Sequence, residues 1–257
     1  RLGVAHADQQ RADQARPARH GDGVDVAVAN AGLLAGLAHY RDDFLQVRAR
    51  GQLRHHAAVG LMHADLAVQR LREQLPAGTA LSIDLQGAVV GGNWGITARP
   101  GTLTHWPGGL VLAFPKAGSV HGTLVLAPGD VNLTFKRYLE RPVVLTIEND
   151  YVTRIEGEGV DAELMRSYIA AWGDREAYAV SHVGYGLNEA ARWDSMAGYD
   201  KRDFNGTELR AFAGNFLYST GANEVAGRYT LGHFDLPMRG CTVQLDSEVV
   251  VRDGQVA

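Results

Sequence analysis

Apolar and polar positions alternate cleanly only in the later two-thirds of the chain. Leu81, Ile83 and Leu85 are spaced by polar residues, the period-two pattern of a half-buried strand. Leu110–Phe114, Thr123–Leu126 and Val131–Phe135 predict further strands, with Pro128-Gly129-Asp130 turning between the last two. Val143, Leu145 and Ile147 share a face, Glu148-Asn149-Asp150 turns, and Val152–Ile155 returns as a hairpin. Asp161 then reads as the N-cap of a helix with Glu163 in its first turn and Leu164, Tyr168 and Trp172 on one face. Val243–Leu245 and Val249–Val251 predict closing strands, and Arg252-Asp253-Gly254 a turn.

Upstream the pattern thins. Val24–Val28 predicts a short buried strand, and Tyr40–Val47 and Ala64–Leu75 predict helices. The stretch from His6 to His20 is polar without a period and reads as a frayed terminus. Pro76 and Gly78 end the last helix and place a boundary near Leu75–Gly78. The expected organisation is a partial N-terminal α/β domain over residues 1–78 and a β-rich domain with helices over 79–257. Aromatic content changes in the same region: the first ninety residues hold Tyr40 and Phe44 alone, against eighteen aromatics in the rest.

Composition narrows the function classes. The chain has 257 residues, 46% hydrophobic and 21% charged, with a net charge of −4. That length buries a substantial core. No basic stripe accompanies the mildly acidic balance, so no nucleic-acid partner is expected. No run of eighteen apolar residues is present, so no membrane-spanning helix is expected. No secretory signal opens the chain, and the single Cys241 excludes an internal disulfide framework and any Cys-based zinc site; a reducing cytoplasm fits. The chain opens on Arg1 and closes in a strand-like run, and is read as a fragment.

His233-Phe234-Asp235 is the sharpest chemical signal. In an extended strand, residues two apart project from one face, so an imidazole and a carboxylate point together while Phe234 packs behind. One further His would complete a two-His, one-carboxylate face suited to iron(II) with open positions. The same spacing is also common in surface pairs and hydrogen-bonded histidines. Ser181-His182-Val183-Gly184-Tyr185-Gly186 supplies a His among glycines, expected where a strand ends and the backbone turns; a loop His bonded to backbone is the alternative. In Gly214–Gly221, Ser219 faces a site at a strand's end or is an ordinary turn hydroxyl. His105, before Trp106-Pro107-Gly108-Gly109, is placed to act as a general base or simply to stack on Trp106. His39, His55, His56 and His63 do not qualify alone as metal ligands.

These segments, in this order, resemble the 2,5-dihydroxypyridine 5,6-dioxygenase family, which is grouped with the thermophilic leucyl aminopeptidases. The resemblance runs from about Leu81 to the C-terminus and includes His105-Trp106-Pro107 and Gly122–Leu126 followed by Gly129-Asp130. It implies an aminopeptidase-like fold mixing α/β and α+β parts. It also implies a mononuclear non-haem iron(II), falling on His182, Ser219, His233 and Asp235. The implied reaction opens 2,5-dihydroxypyridine, or a close hydroxypyridine, with O₂ between C5 and C6 to N-formylmaleamic acid in nicotinate breakdown. His105 would be an acid–base residue, His39 a second substrate or acid–base residue, and Asn93, Trp94 and Trp106 would line the pocket, Asn93 standing where a relative carries an acidic group. A homo-oligomer is expected.

Two rival readings belong beside it. The aminopeptidases hold two metals with glutamates in Pro-x-Gly-Glu-Val and Glu-x-Gly-x-Gly stretches. Here Pro107-Gly108-Gly109-Leu110-Val111 and His182-Val183-Gly184-Tyr185-Gly186 replace them, and Gly214–Gly221 lacks the further His. Two cations need such carboxylates against mutual repulsion, so one metal is expected. The other rival is a non-catalytic, truncated member of the family.

Overall fold

The computed structural model describes residues 65–69, 78–93, 95–97, 100–101 and 103–257. The elements expected at Val24–Val28 and Tyr40–Val47, and the residues His39 and Trp94, lie outside the described residues. Strands β1 (Asp65–Gln69), β2 (Ala80–Asp84), β3 (Val89–Asn93), β4 (Leu110–Phe114) and β5 (Val120–Leu126) lead to short β6 (Val131–Asn132) and β7 (Arg137–Tyr138). The predicted hairpin is β8 (Val143–Glu148) and β9 (Tyr151–Glu156), followed by helix α1 (Val160–Ala171). Next come β10 (Val180–Gly186), the short helix α2 (Thr207–Ala211), β11 (Phe216–Thr220) and β12 (Phe234–Met238). β13 (Thr242–Leu245), β14 (Glu248–Arg252) and β15 (Gln255–Val256) close the chain.

Two larger antiparallel sheets organise most of these strands, and β6 and β7 pair separately. One has the order β15-β14-β13-β1-β2-β5-β8-β9 and the other β12-β11-β10-β4-β3. Their inner residues join one core: Leu81, Ile83, Leu124 and Leu145 from the first sheet, Val111, Val183, Tyr218 and Leu236 from the second. The alternation expected at Leu81 and Ile83 is present, both buried between exposed neighbours. Among the described residues no helix is long and apolar enough to cross a membrane.

Four local expectations are corrected. Asp65–Gln69 is a strand where Ala64–Leu75 predicted a helix. It pairs with β2 on one side and β13 on the other, and two ladders outweigh a local helical preference. It also lies upstream of the boundary expected near residue 78. The run Val131–Phe135 is strand only over its first two residues; Leu133 to Lys136 turn back. Asp161 sits inside α1, whose N-cap is Gly159, and its carboxylate accepts from Glu140 N and pairs with Arg137. The buried face of α1 is Ala162, Met165 and Ile169, with Tyr168 and Trp172 packed beside them, while Leu164 is exposed. Finally, His182 lies near the start of β10, and that strand runs on through both glycines to Gly186. Glycine is required at 184, where a Cβ would stand 2.1 Å from Val111 O on the neighbouring strand.

The smaller sheet positions the site through its second face. Cross-strand partners share a face. Val183 pairs with Tyr218 and Tyr218 with Leu236, all turned to the core. Ser219 pairs with Asp235 and so turns the other way. Pro237, unable to donate to a ladder, is accommodated because β12 is the sheet's edge. That edge is covered: Leu133 N donates to Asp235 O (2.9 Å) and Thr134 Oγ1 to His233 O (2.9 Å).

Candidate metal centre

A bulge decides where His182 points. Between β10 and β11, Val180 pairs with Thr220 and Val183 with Tyr218, so β10 carries one residue more than its partner. In an unbroken register from Val180, His182 would oppose Tyr218 and face the core. The extra residue moves it to the face of Ser219 and Asp235, a common use of a bulge beside a functional site.

On that face four side chains meet around one oxygen. Ser219 donates a very short hydrogen bond to Asp235 Oδ1. His182 Nε2 lies 3.5 Å and His233 Nε2 3.2 Å from the same oxygen, and His182 Nε2 lies 3.0 Å from Ser219 Oγ. The imidazoles stack with centroids 6.1 Å apart, and Phe114 closes on the His182 ring at 5.4 Å. Ser219 and Asp235 are buried, whereas the His233 side chain is 41% exposed and opens the cluster to solvent. Phe234 points into the core against Phe135 and Tyr168, as the alternation required.

The partners of the other atoms show what the cluster lacks. His233 Nδ1 is 2.7 Å from Thr220 O, a pure acceptor, so that nitrogen holds the ring proton. Neutral His233 then presents a lone pair from Nε2 to the carboxylate. Asp235 Oδ2 accepts from Arg210 Nε at 2.7 Å and pairs with Nη2 at 2.5 Å. Burial works to raise the Asp235 carboxyl, but the charges of Arg210 and His233 reverse this and hold it well below the usual carboxylate range. Burial pushes His182 down to about 4, so it is neutral near pH 7. Burial opposes the His233 charge as well, yet Asp235 raises its pKa overall. Two imidazole nitrogens, a hydroxyl and a carboxylate oxygen therefore crowd one point. A cation relieves that, whether a proton on His233 or a metal.

Among the described residues no three His, Cys, Asp or Glu side chains surround a ready-made cation gap. Here the donor atoms are closed onto each other instead. Ligands about 2.1 Å from a divalent ion at right angles stand about 3 Å apart, near the 3.0–3.5 Å of the two imidazole contacts, while Ser219 and Asp235 lie closer together. The donor set, two imidazoles, a carboxylate and a hydroxyl, fits such an ion.

The other predicted residues lie elsewhere. His105 is on the exposed loop before β4. Asn93, at the end of β3, fastens that loop: Thr104 Oγ1 and Gly95 N donate to its Oδ1 at 2.8 and 3.1 Å. Trp106 is 76% exposed and lines a cleft of about 390 Å³ with Pro107, Asn188, Tyr199, Phe204 and Glu208 among others, none of them from the cluster. Sequence reasoning missed Arg210, in the last turn of α2. It lies 25 residues from the carboxylate it braces, and no local pattern marks it.

Residues 39–257 match the family model described as 2,5-dihydroxypyridine 5,6-dioxygenase. A curated protein of that name from Pseudomonas putida KT2440 is 43% identical over 165 residues, 63% of this chain and 47% of that protein. The chain thus spans about half the length of the curated relative it matches. A solved structure of 2,5-dihydroxypyridine dioxygenase from Pseudomonas putida KT2440 superposes with a TM-score of 0.72 at 38% identity, covering 78% of this chain and 57% of that one. Wild-type AmpT from Thermus thermophilus superposes at 0.56 with 18% identity, over 83% of this chain and 55% of that one. At that identity the likeness concerns fold alone, and the fold is aminopeptidase-like, as the sequence implied.

Proposed function

This chain belongs to the 2,5-dihydroxypyridine 5,6-dioxygenase family, and we propose that its cluster holds the mononuclear iron(II) of a ring-opening dioxygenase acting on 2,5-dihydroxypyridine or a close hydroxypyridine. The observation that carries the metal is the convergence of His182, His233 and Ser219 on the buried Asp235 Oδ1. Bound there, iron(II) would supply a path for electrons from an electron-rich ring to O₂. Two imidazoles, one carboxylate and a weak hydroxyl suit iron(II) with positions left open, though zinc accepts the same set.

The chain's own residues would do the rest. Arg210 fixes the carboxylate plane from Oδ2, leaving Oδ1 for the metal. Phe114, packed on His182, would shield one side of the ligand sphere from water. His105 has an exposed ring able to take the proton of a substrate hydroxyl, and His39 is proposed as its acid–base partner. Trp106 and Asn93, with Trp94, are the proposed pocket residues. Cleavage between C5 and C6 places both atoms of O₂ in N-formylmaleamic acid, so no external reductant is required. A cytoplasmic setting, with buried Cys241 kept as a thiol, belongs to the same proposal.

The test is anaerobic reconstitution with Fe(II), then 2,5-dihydroxypyridine and air, following O₂ uptake and loss of ring absorbance beside His233→Ala. Stoichiometric uptake that vanishes in the variant is expected. Failure of the wild-type chain to bind Fe(II) would overturn the assignment of the ligands.

A further inference from the structure

The bulge that turns His182 outward also leaves Ser181 and His182 together opposite Ser219. Adjacent residues of a regular strand point to opposite faces. Here Ser181 Oγ lies 3.1 Å from Nδ1 of the very next residue. The same oxygen lies 2.5 Å from Ala222 O, in the loop after β11.

Both contacts are hydrogen bonds at once in one pattern of hydrogens alone. A carbonyl can only accept, so the single hydroxyl hydrogen of Ser181 goes to Ala222 O at the shorter distance. The lone pairs of Oγ then face His182 Nδ1, which must carry the ring proton to make a bond. On the opposite edge of the ring the pull is reversed. Ser219 gives its hydrogen to Asp235, so Ser219 Oγ, 3.0 Å from Nε2, is itself an acceptor that would welcome a proton there. One imidazole proton is contested by Ser181 Oγ on one edge and by Ser219 Oγ, with Asp235 Oδ1 3.5 Å away, on the other.

We propose that Ser181 is a positioning residue that holds the His182 proton on Nδ1, keeping Nε2 as the free lone pair directed at Ser219 and Asp235. The proposal rests on the reading of His182 as a metal ligand. Ligating histidines commonly bond their second nitrogen to an outer partner, and losing such a partner lowers metal affinity by about 10–100-fold. In most such pairs that partner is a carboxylate or carbonyl; here it is a hydroxyl committed elsewhere as donor, and supplied by the preceding residue. Gly221, whose N–H donates to Ala179 O, ties the Ala222 loop to the residue just before the strand it serves.

Long-range ¹H–¹⁵N spectra of the imidazoles in the metal-free chain read the tautomer directly. Wild type is expected to show protonated Nδ1 and bare Nε2 at His182. In Ser181→Ala the proton is expected to move to Nε2, and Fe(II) affinity, measured anaerobically against a chelator, to fall by about 10–100-fold. Ser181→Thr keeps the hydroxyl and should restore both. An Nε2–H tautomer in wild type, or an affinity within twofold of wild type in Ser181→Ala, would overturn the role given to Ser181. If the wild-type chain takes up no Fe(II), the metal centre falls, while the wild-type tautomer still decides whether Ser181 holds the proton.

Discussion

Asp235 accepts from Arg210 on Oδ2 and turns Oδ1 to Ser219, His182 and His233. A buried carboxylate stripped of its guanidinium would keep its desolvation penalty and lose its compensation. Arg210→Leu is therefore expected to raise the Asp235 pKa and weaken Fe(II) binding by tenfold or more, in chelator competition. Arg210→Lys should recover only part, since one ammonium cannot reproduce two guanidinium nitrogens. Unchanged affinity in the Leu variant would remove Arg210 from the site. The two imidazoles differ in a way pH can reveal. An unperturbed His titrates at about 6.5. Burial pushes His182 down to about 4, whereas His233, partly desolvated, is raised by Asp235. For His182 the stability contribution is present above about 6.5 and lost as pH falls towards 4; for His233 it is present below about 6.5 and lost as pH rises through its folded pKa. A metal must displace the His233 proton, so affinity should rise with pH across that upper window. Proton NMR of the metal-free chain would check this, and two midpoints both near 6.5 would refute it.

The strand that carries His182 is fixed at its first residue. Val180 N donates to Asp150 O at 2.8 Å, and Val180 O accepts from Arg228 Nη1 at 3.3 Å. Asp150 is fully buried, accepts from Ser119 N and Val120 N at 2.8 Å, and pairs with Arg228, itself 6% exposed. Removing one member of such a pair leaves an uncompensated charge, at a cost of about 3–5 kcal/mol. Arg228→Met should lower the denaturant midpoint accordingly and fray β10 ahead of the bulge. A change below about 1 kcal/mol would show that water replaces the arginine. None of this was legible from Glu148-Asn149-Asp150, which reads correctly as a turn but gives no sign that its aspartate reaches 78 residues to Arg228. The bulge was equally hidden. Tyr-Ala-Val-Ser-His-Val alternates no worse than a regular strand, and only the pairing with β11 reveals the extra residue. The strand at Asp65–Gln69 was misread for the same reason: its partners lie in β2 and, far downstream, β13.

At the scale of the whole chain, the smaller sheet uses its two faces differently. One face completes the core, and the other gathers donors from the start of β10, the end of β11 and the head of β12. His-x-Asp was legible because both groups lie within one strand's repeat. His182 and Ser219 were legible by resemblance of ordered motifs, since neither spacing nor composition brings residues 37 positions apart into contact. The same gathering bears on how many metals the proposed centre would hold. Asp235 is the only carboxylate that meets the two imidazoles among the described residues, and its second oxygen is already committed to Arg210. Two divalent cations sharing a site need bridging carboxylates to offset their repulsion. Where the aminopeptidase motifs carry glutamate, this chain has buried Leu110 on β4 and His182 on β10. One equivalent of Fe(II) per chain is expected by anaerobic titration with elemental analysis, falling to none in a His233→Ala, Asp235→Asn double variant. No release of leucine from a leucyl amide is expected with Zn(II) or Co(II) loaded. Two equivalents of tightly held metal, or amide hydrolysis lost in the double variant, would return the site to the two-metal reading.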